Sequence, residues 1–205
     1  SSDLPCVAVP LDLRWGRTYE CFGEEPALVG RLAAAEVRGL QRAGVPVAAC
    51  VKHWIGDGAT TFGTGTRDMA LLFGSPPGVL DQGDARLSDA ELRGVHMPPY
   101  VDALAAGALT VMVSYSSVRS CKVHASRHWL TDVLKTELGF RYAVVSDYEA
   151  VGQCAADFDT AAAACLNAGV DMVMTPGGIT GGLPWREQID RVVALVEKGC
   201  IPMER

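Results

Sequence analysis

Several kinds of feature are scarce or missing from this 205-residue chain. It has no apolar run of the ~18–20 residues that a membrane-spanning helix needs, so an integral helical membrane protein is not expected. It has no excess of positive charge: 18 Lys and Arg face 24 Asp and Glu, a formal net charge of −6. That balance argues against a partner read through its phosphate backbone. Its seven cysteines include no C-x-x-C pair, which fits neither a zinc module nor a disulfide-stapled miniprotein; their odd number leaves a thiol unpaired within the chain. No charged segment followed by an apolar one opens the sequence, so no signal peptide is read there, and compartment is left open. What is present is a chain that should fold: 49% hydrophobic and 20% charged residues are unlike a disordered composition.

Five short apolar runs predict strands: Cys6 to Leu11, Val45 to Val51, Leu109 to Ser114, Tyr142 to Ser146 and Val170 to Met174. They are nearly continuous rather than alternating, as in a parallel sheet covered on both faces. Helical patterns lie between and after them. Pro26 to Ala43 reads as a helix stopped by Gly44, and Ser88 with Glu91 forms a capping box ahead of Leu92 and Val95. That pattern is expected to break at Pro98 and Pro99 and to resume over Tyr100 to Ala106. Ser126 to Leu138, Asp159 to Ala168 and Trp185 to Lys198 complete the set. Five βα units predict an α/β fold, either an open doubly wound sheet or part of a (β/α)8 barrel. The stretch Gly56 to Leu87, rich in Gly, Thr, Pro and Asp, reads as one long irregular segment.

Polar residues collect at the ends of these runs. The first leads to Asp12, Arg14 and Arg17, the second to Lys52, His53 and Asp57, the third to Ser114 and Tyr115, the fourth to Asp147 and Tyr148. In parallel α/β folds the C-terminal strand edge is where ligands bind. Asp147 could instead be a helix cap, a role aspartate favours. Lys52 and His53 are neighbours, so an extended chain would point them to opposite sides. Both can face one ligand only if the strand bends there, which the following Gly56 and Gly58 permit. His124 and His128 have the i,i+4 spacing of a metal pair, but no third ligand is evident and Ser126 reads as a cap. Gly63-Thr64-Gly65 lacks the context of a phosphate loop. Arg14 and Trp15 are expected to be structural.

The residues Arg14-Trp15-Gly16-Arg17-Thr18-Tyr19-Glu20, Lys52-His53-Trp54-Ile55-Gly56-Asp57-Gly58 and Leu80-Asp81-Gln82-Gly83-Asp84 together carry a likeness. So do His96-Met97-Pro98-Pro99-Tyr100, Thr110 to Ser117, and Val144-Val145-Ser146-Asp147-Tyr148. In this order they resemble the N-terminal barrel domain of glycoside hydrolase family 3, in its β-glucosidase and exo-β-glucanase branch. The resemblance implies a partial (β/α)8 barrel over 1–205, its opening strands and last helix outside the chain. It implies a retaining exo-glycosidase with Asp147 as nucleophile, acting on a β-glucoside or β-glucan without a cofactor. Lys52 and His53 would hold sugar hydroxyls, Arg17 and Asp57 would join the glucose subsite, and Met112, Tyr115 and Tyr148 would shape it. Such an enzyme needs an ionised carboxylate at the anomeric carbon, and nearby Lys and Arg would keep it so. The acid/base of this branch would come from a second, α/β sandwich domain absent from the chain. Two departures are visible: Tyr148 stands where the family has Trp, and Asp12-Leu13 where it usually has Asp-Pro. Two other readings stay open, a sugar-binding fragment without catalysis and a Schiff-base enzyme using Lys52.

Overall fold

The computed structural model describes residues 5–65, 80–175 and 182–205, in two compact units, Ser1–Val123 and His124–Arg205.

In the first unit, β1 (Cys50–Trp54) is buried along its whole length. The expected strand Val45 to Val51 is therefore displaced towards the C-terminus. Val45 is 81% exposed, and Pro46 offers no N–H to a ladder. The Gln41 side chain helps set the entry to β1, accepting from Ala49 N at 3.1 Å and donating to Gly107 O at 2.7 Å. Lys52 and His53 thus lie inside the strand rather than after it. β2 (Asp84–Ala85) comes next, then β3 (Thr110–Val113), which pairs parallel with β1. The first expected strand, Cys6 to Leu11, is extended but not a regular strand. Val7 N donates to Lys52 O at 2.8 Å and Lys52 N to Pro5 O at 3.0 Å, but Pro5 and Pro10 carry no donors, and the ladder goes no further than a bridge at Cys6.

A second small sheet was not legible in the sequence. β4 (Ser117–Val118) pairs parallel with β2 and antiparallel with β5 (Cys121–Lys122). The two residues of its hairpin turn, Arg119 and Ser120, both have positive φ, 48° and 67°, the geometry that matches strand twist. Asp84 accepts from Ser120 N at 2.8 Å, tying the turn to β2. β2 lies within the stretch read as irregular; residues 66–79 of that stretch lie outside the described residues.

The first helix, Pro26–Arg42, starts where Glu25 accepts from Ala27 N and Leu28 N at 3.0 and 2.6 Å. It buries Val29, Gly30, Ala33, Ala34 and Val37, the i, i+3, i+4 stripe of a packed face, against the helix Pro98–Ala105. A fully buried valine there stabilises the fold by about 1.5–3 kcal/mol. The capping box at Ser88 and Glu91 forms in both directions. After one turn the helix widens, Met97 N reaching back five residues to Leu92 O at 2.9 Å. Pro98 and Pro99 do not interrupt a helix here; they occupy the first turn of Pro98–Ala105, where missing N–H groups cost nothing.

His96 is 2% exposed and neither ring nitrogen has a hydrogen-bond partner among the described residues. Burial lowers its pKa from 6.5 to about 4. The unfolded chain then takes up the proton more readily, so this contribution to stability is complete above pH ~6.5 and lost as pH falls towards 4. Urea midpoints should show an acid loss of up to about 3 kcal/mol that His96→Leu removes; an unchanged loss in the variant would contradict this.

In the second unit, β6 (Ala143–Val145) follows the helix His128–Glu137. That helix buries Trp129, Leu130, Val133 and Leu134. Phe158–Ala168 is capped by Asp157, which accepts from Thr160 N at 2.9 Å, and it ends at Gly169 with φ 134°. The last helix is Trp185–Glu197. The expected strand Val170 to Met174 reduces to one parallel bridge, Val145 with Met172. The reason is the Asp171 carboxylate, which takes the Val144 N–H at 2.8 Å and binds Lys135 Nζ at 2.7 Å. The architecture is α/β with parallel pairing, and among the described residues no helix is long and apolar enough to cross a membrane.

Candidate active site

The first unit gathers its polar side chains at the C-terminal ends of β1 and β3. Between Val51 and Trp54 the β1 register advances three residues while β3 advances two, Val51 pairing with Val111 and Trp54 with Val113. The extra residue breaks the strict alternation of side chains, so Lys52 and His53 both reach the same pair of residues. The peptide bonds Lys52–His53 and Trp54–Ile55 are cis. Lys52 Nζ lies 3.5 Å from Glu20 Oε2, and His53 Nε2 lies 3.3 Å from an Arg17 NH2. Arg17 grips Glu20 with two parallel hydrogen bonds, 2.7 and 3.0 Å.

Arg17 and Glu20 belong to one short turn, and Trp15 anchors it. The Trp15 indole is buried with Cys6, Ala8 and Leu80, and its N–H donates to Asp81 at 3.0 Å. Trp15 is therefore structural, as expected. Arg14 and Asp12 are bound to each other at 2.8 and 3.1 Å, with the Arg14 guanidinium 3.9 Å above the Phe62 ring.

His53 sits between Arg17 and Asp57, its Nδ1 2.5 Å from Asp57 Oδ2. Asp57 follows Gly56, which takes φ 100° at the end of β1. A side chain at Gly58 would collide with the Val9 carbonyl. Asp57 Oδ1 accepts from Ser114 Oγ at 2.6 Å and Ser116 Oγ at 3.3 Å, so the polar residues after β3 hold the carboxylate from the other side. Tyr100 OH donates to His53 O at 2.5 Å, and its ring meets Trp54 edge-on at 5.0 Å. Burial pushes the His53 pKa down, but the Asp57 charge and hydrogen bond and Cys6 raise it to about 9. Burial pushes Asp57 up, and the His53 charge, Arg17 and Ser114 bring it down to about 2. The pair is an ion pair at neutral pH.

Met112 lies within β3 and Tyr115 just beyond its end, and both are buried, at 5% and 7% exposure. Tyr115 O accepts from Lys122 Nζ at 2.8 Å. The resulting array, Lys52–Glu20–Arg17–His53–Asp57–Ser114, sets cationic donors and carboxylate acceptors within 2.5–3.5 Å of their neighbours. Such an array suits a ligand carrying adjacent hydroxyl groups, each of which both donates and accepts. Ser116 was not singled out by sequence reasoning, and Glu20 was named only within the motif that begins at Arg14, with no role of its own. Glu20 had a readable signal, an acid three residues after Arg17 in a turn-forming segment.

Asp147 and Tyr148 belong to the second unit. Ser146 follows β6 and fixes the backbone there, donating to Asp147 O at 2.9 Å and accepting from Met174 N at 2.8 Å. Asp147 is 7% exposed. Its N–H donates to His124 Nε2 at 3.0 Å, and its Oδ1 accepts from Tyr148 N at 2.7 Å. A helix cap binds the N–H two or three residues on; Asp147 binds its neighbour's, and the next helical turn, Ala150–Gln153, is preceded by Glu149. The capping alternative does not describe Asp147. His124, considered with His128 as a metal pair, is instead wholly buried and orients the backbone at Asp147.

The sequence matches the glycosyl hydrolase family 3 N terminal domain over residues 3–205. It is similar to beta-glucosidase 2 of Saccharomycopsis fibuligera, 34% identical over 200 residues, covering 94% of this chain and 21% of the relative. It is similar also to a beta-glucosidase of Rhizobium radiobacter, 30% identical over 92% of this chain and 19% of the relative. Among solved structures, an exo-1,3/1,4-beta-glucanase from a Pseudoalteromonas species superposes with a TM-score of 0.83 at 34% identity, over 98% of this chain and 23% of that one. A beta-glucosidase from Listeria innocua in complex with glucose gives 0.79 at 28% identity, over 98% and 26%. The chain thus spans about a fifth of the length of these curated relatives. It belongs to glycosyl hydrolase family 3, in the family's N-terminal domain.

Proposed function

We propose that this chain is the sugar-binding and nucleophile-bearing part of a retaining β-glucosidase that releases terminal β-D-glucosyl residues from β-glucosides or β-glucans. The observation that carries the proposal is the buried array from Lys52 to Ser114, found in a chain of this family. In this reading the chain is part of a (β/α)8 barrel, and Asp147 is the nucleophile. Arg17, Lys52, His53 and Asp57 bind the ring hydroxyls, and Met112, Tyr115 and Tyr148 give the subsite its walls. Tyr148 supplies a smaller aromatic face than a tryptophan would.

The chemistry follows from two carboxylate tasks. Asp147 attacks the anomeric carbon and forms a glycosyl-enzyme ester, which water then hydrolyses with net retention. The hydrogen bond from Tyr148 N–H fixes one carboxylate oxygen and so orients the other. The leaving oxygen needs an acid, and the reading assigns it to a second domain outside these 205 residues. The array holds the ring still while positive charge develops on it, and Lys52 and Arg17 act as hydroxyl donors. Lys52 Nζ lies 3.5 Å from Glu20 Oε2, a contact that holds it in place as a donor.

The test is the first-formed product of an aryl β-glucoside acted on by the full-length protein. Proton NMR should show β-glucose before mutarotation. Initial α-glucose, or no release of glucose, would contradict the reading.

A further inference from the structure

Directly behind the hydroxyl-binding array lies a second pair of reactive groups that the proposed mechanism does not use. Cys6 and Cys21 are paired across a parallel bridge, with their sulfurs 3.6 Å apart and both thiols free. Neighbouring extended segments lie about 4.7–4.9 Å apart, inside the ~4.4–6.8 Å Cα window that a disulfide accepts. Side chains in register on such segments point the same way, so closure to ~2.05 Å asks only for side-chain rotation and a small backbone shift.

Each sulfur is tied to a different part of the array. Cys6 bridges Lys52 through the backbone, and its thiol and the His53 side chain influence each other's ionisation. Cys21 ends the turn that carries Arg17 and Glu20, with its N–H donating to Thr18 O at 3.1 Å and its sulfur 3.8 Å from Arg17 O. Cys6 is buried and Cys21 half-buried, so Cys21 marks the open side of the pair. The two thiols differ in character. The Cys21 hydrogen bond and His53 together outweigh burial and lower the Cys6 pKa from 9.0 to about 5, whereas Cys21 is raised. Cys6 is then the thiolate and Cys21 the proton donor that resolves it.

We propose that Cys6 and Cys21 form a dithiol that peroxide converts reversibly to a disulfide, and that this bond weakens sugar binding at Arg17 and His53. The steps balance without other reactants. The Cys6 sulfur attacks one oxygen of hydrogen peroxide, the O–O bond breaks, and with one proton a water leaves, giving a sulfenic acid. The Cys21 sulfur then attacks the Cys6 sulfur, its own proton and the hydroxyl departing as a second water. Two thiols lose two electrons, which the two peroxide oxygens gain. The new bond draws Cys6 away from His53 and pulls the Arg17 turn towards it. A misplacement of about 1 Å in a positioning group can cost up to about a hundredfold.

The second half of this inference rests on the proposed function, and the experiment separates the two. The full-length protein, reduced with dithiothreitol, is treated with hydrogen peroxide, alkylated and digested. Mass spectrometry should show the Cys6 and Cys21 peptides joined, two hydrogens lighter, and separated again by dithiothreitol. In parallel, kcat/KM for an aryl β-glucoside should fall about tenfold on oxidation, and the rise in Tm given by glucose should shrink. Both should recover on reduction, neither should respond in Cys6→Ser compared with its own reduced form, and Cys21→Ser should give no joined peptide. Both cysteines alkylated after peroxide, or Cys6 joined to a different cysteine, would overturn the dithiol. A joined pair with undiminished kcat/KM and undiminished glucose shift would overturn its effect on the site. A reduced protein that never hydrolyses the glucoside would count against the proposed function alone, because the peptide mapping and the glucose shift do not depend on turnover.

Discussion

Asp147→Asn is expected to lower kcat for an aryl β-glucoside by about three or more orders of magnitude, corresponding to at least about 4 kcal/mol in the barrier. The amide is nearly isosteric, and its oxygen can still accept from Tyr148 N, the 2.7 Å bond that now orients the carboxylate. The backbone bond from Asp147 N to His124 is untouched. Stability should therefore change by less than about 1 kcal/mol. What is lost is the negative charge that opposes an oxocarbenium ion and the oxygen that forms the ester. Glucose affinity should change far less than turnover, since the residues proposed to bind the ring hydroxyls remain. Steady-state kinetics with a glucose competition assay check this split. A turnover within tenfold of wild type would mean that Asp147 is not the nucleophile.

The second large effect is expected at Asp57, and in stability as much as in binding. Its carboxylate and His53 form a buried ion pair at 2.5 Å, with Ser114 and Ser116 satisfying the other oxygen. Removing one member of such a pair leaves the other charge uncompensated and costs about 3–5 kcal/mol. Asp57→Asn keeps the serine bonds and isolates that loss. His53 would then lose the main influence that raises its pKa, and glucose affinity should fall with it. A double variant, Asp57→Asn with His53→Gln, should cost less than the sum of the two single changes, because neither leaves a partner stranded. Additive costs measured by urea unfolding would contradict the coupling.

The pair also has a pH window. Asp57, lowered to about 2, contributes fully above its ordinary value of 3.8 and loses that contribution as pH falls towards 2. His53, raised to about 9, contributes fully below its ordinary 6.5 and loses that contribution as pH rises towards 9. Between about pH 4 and 6.5 both contributions are present, while that of His96 declines as pH falls.

Helices were the most legible part of the sequence. The capping box at Ser88, the stop at Gly169 and the span of the first helix all rest on local chemistry that one sequence displays. The strands were less so, because apolar content marks a buried run but not its register. Val45 to Val47 looked like strand and is exposed. Lys52 and His53 looked like strand-end residues and lie within β1, where their side chains meet a turn some thirty residues earlier. The sheet of β2, β4 and β5 was missed because two-residue strands leave no periodic trace. Of the site, Arg17, His53 and Asp57 were named from the sequence and the structure brings them into one array. Ser116 was overlooked and Glu20 was given no role of its own, for their contacts with Asp57 and Lys52 join residues distant in sequence. His124 was read through its spacing from His128, whereas its structural partner is the backbone of Asp147.

The central claim is that Asp147 forms a covalent bond to the sugar, and trapping that bond tests it most directly. A 2-deoxy-2-fluoro β-glucoside with a good leaving group slows release of the glycosyl-enzyme more than its formation is slowed, so the ester accumulates. Incubated with the full-length protein, digested and sequenced by mass spectrometry, it should place one fluoroglucosyl group on the peptide containing Ser146, Asp147 and Tyr148, at the Asp147 carboxylate. The label on any other carboxylate would contradict the account.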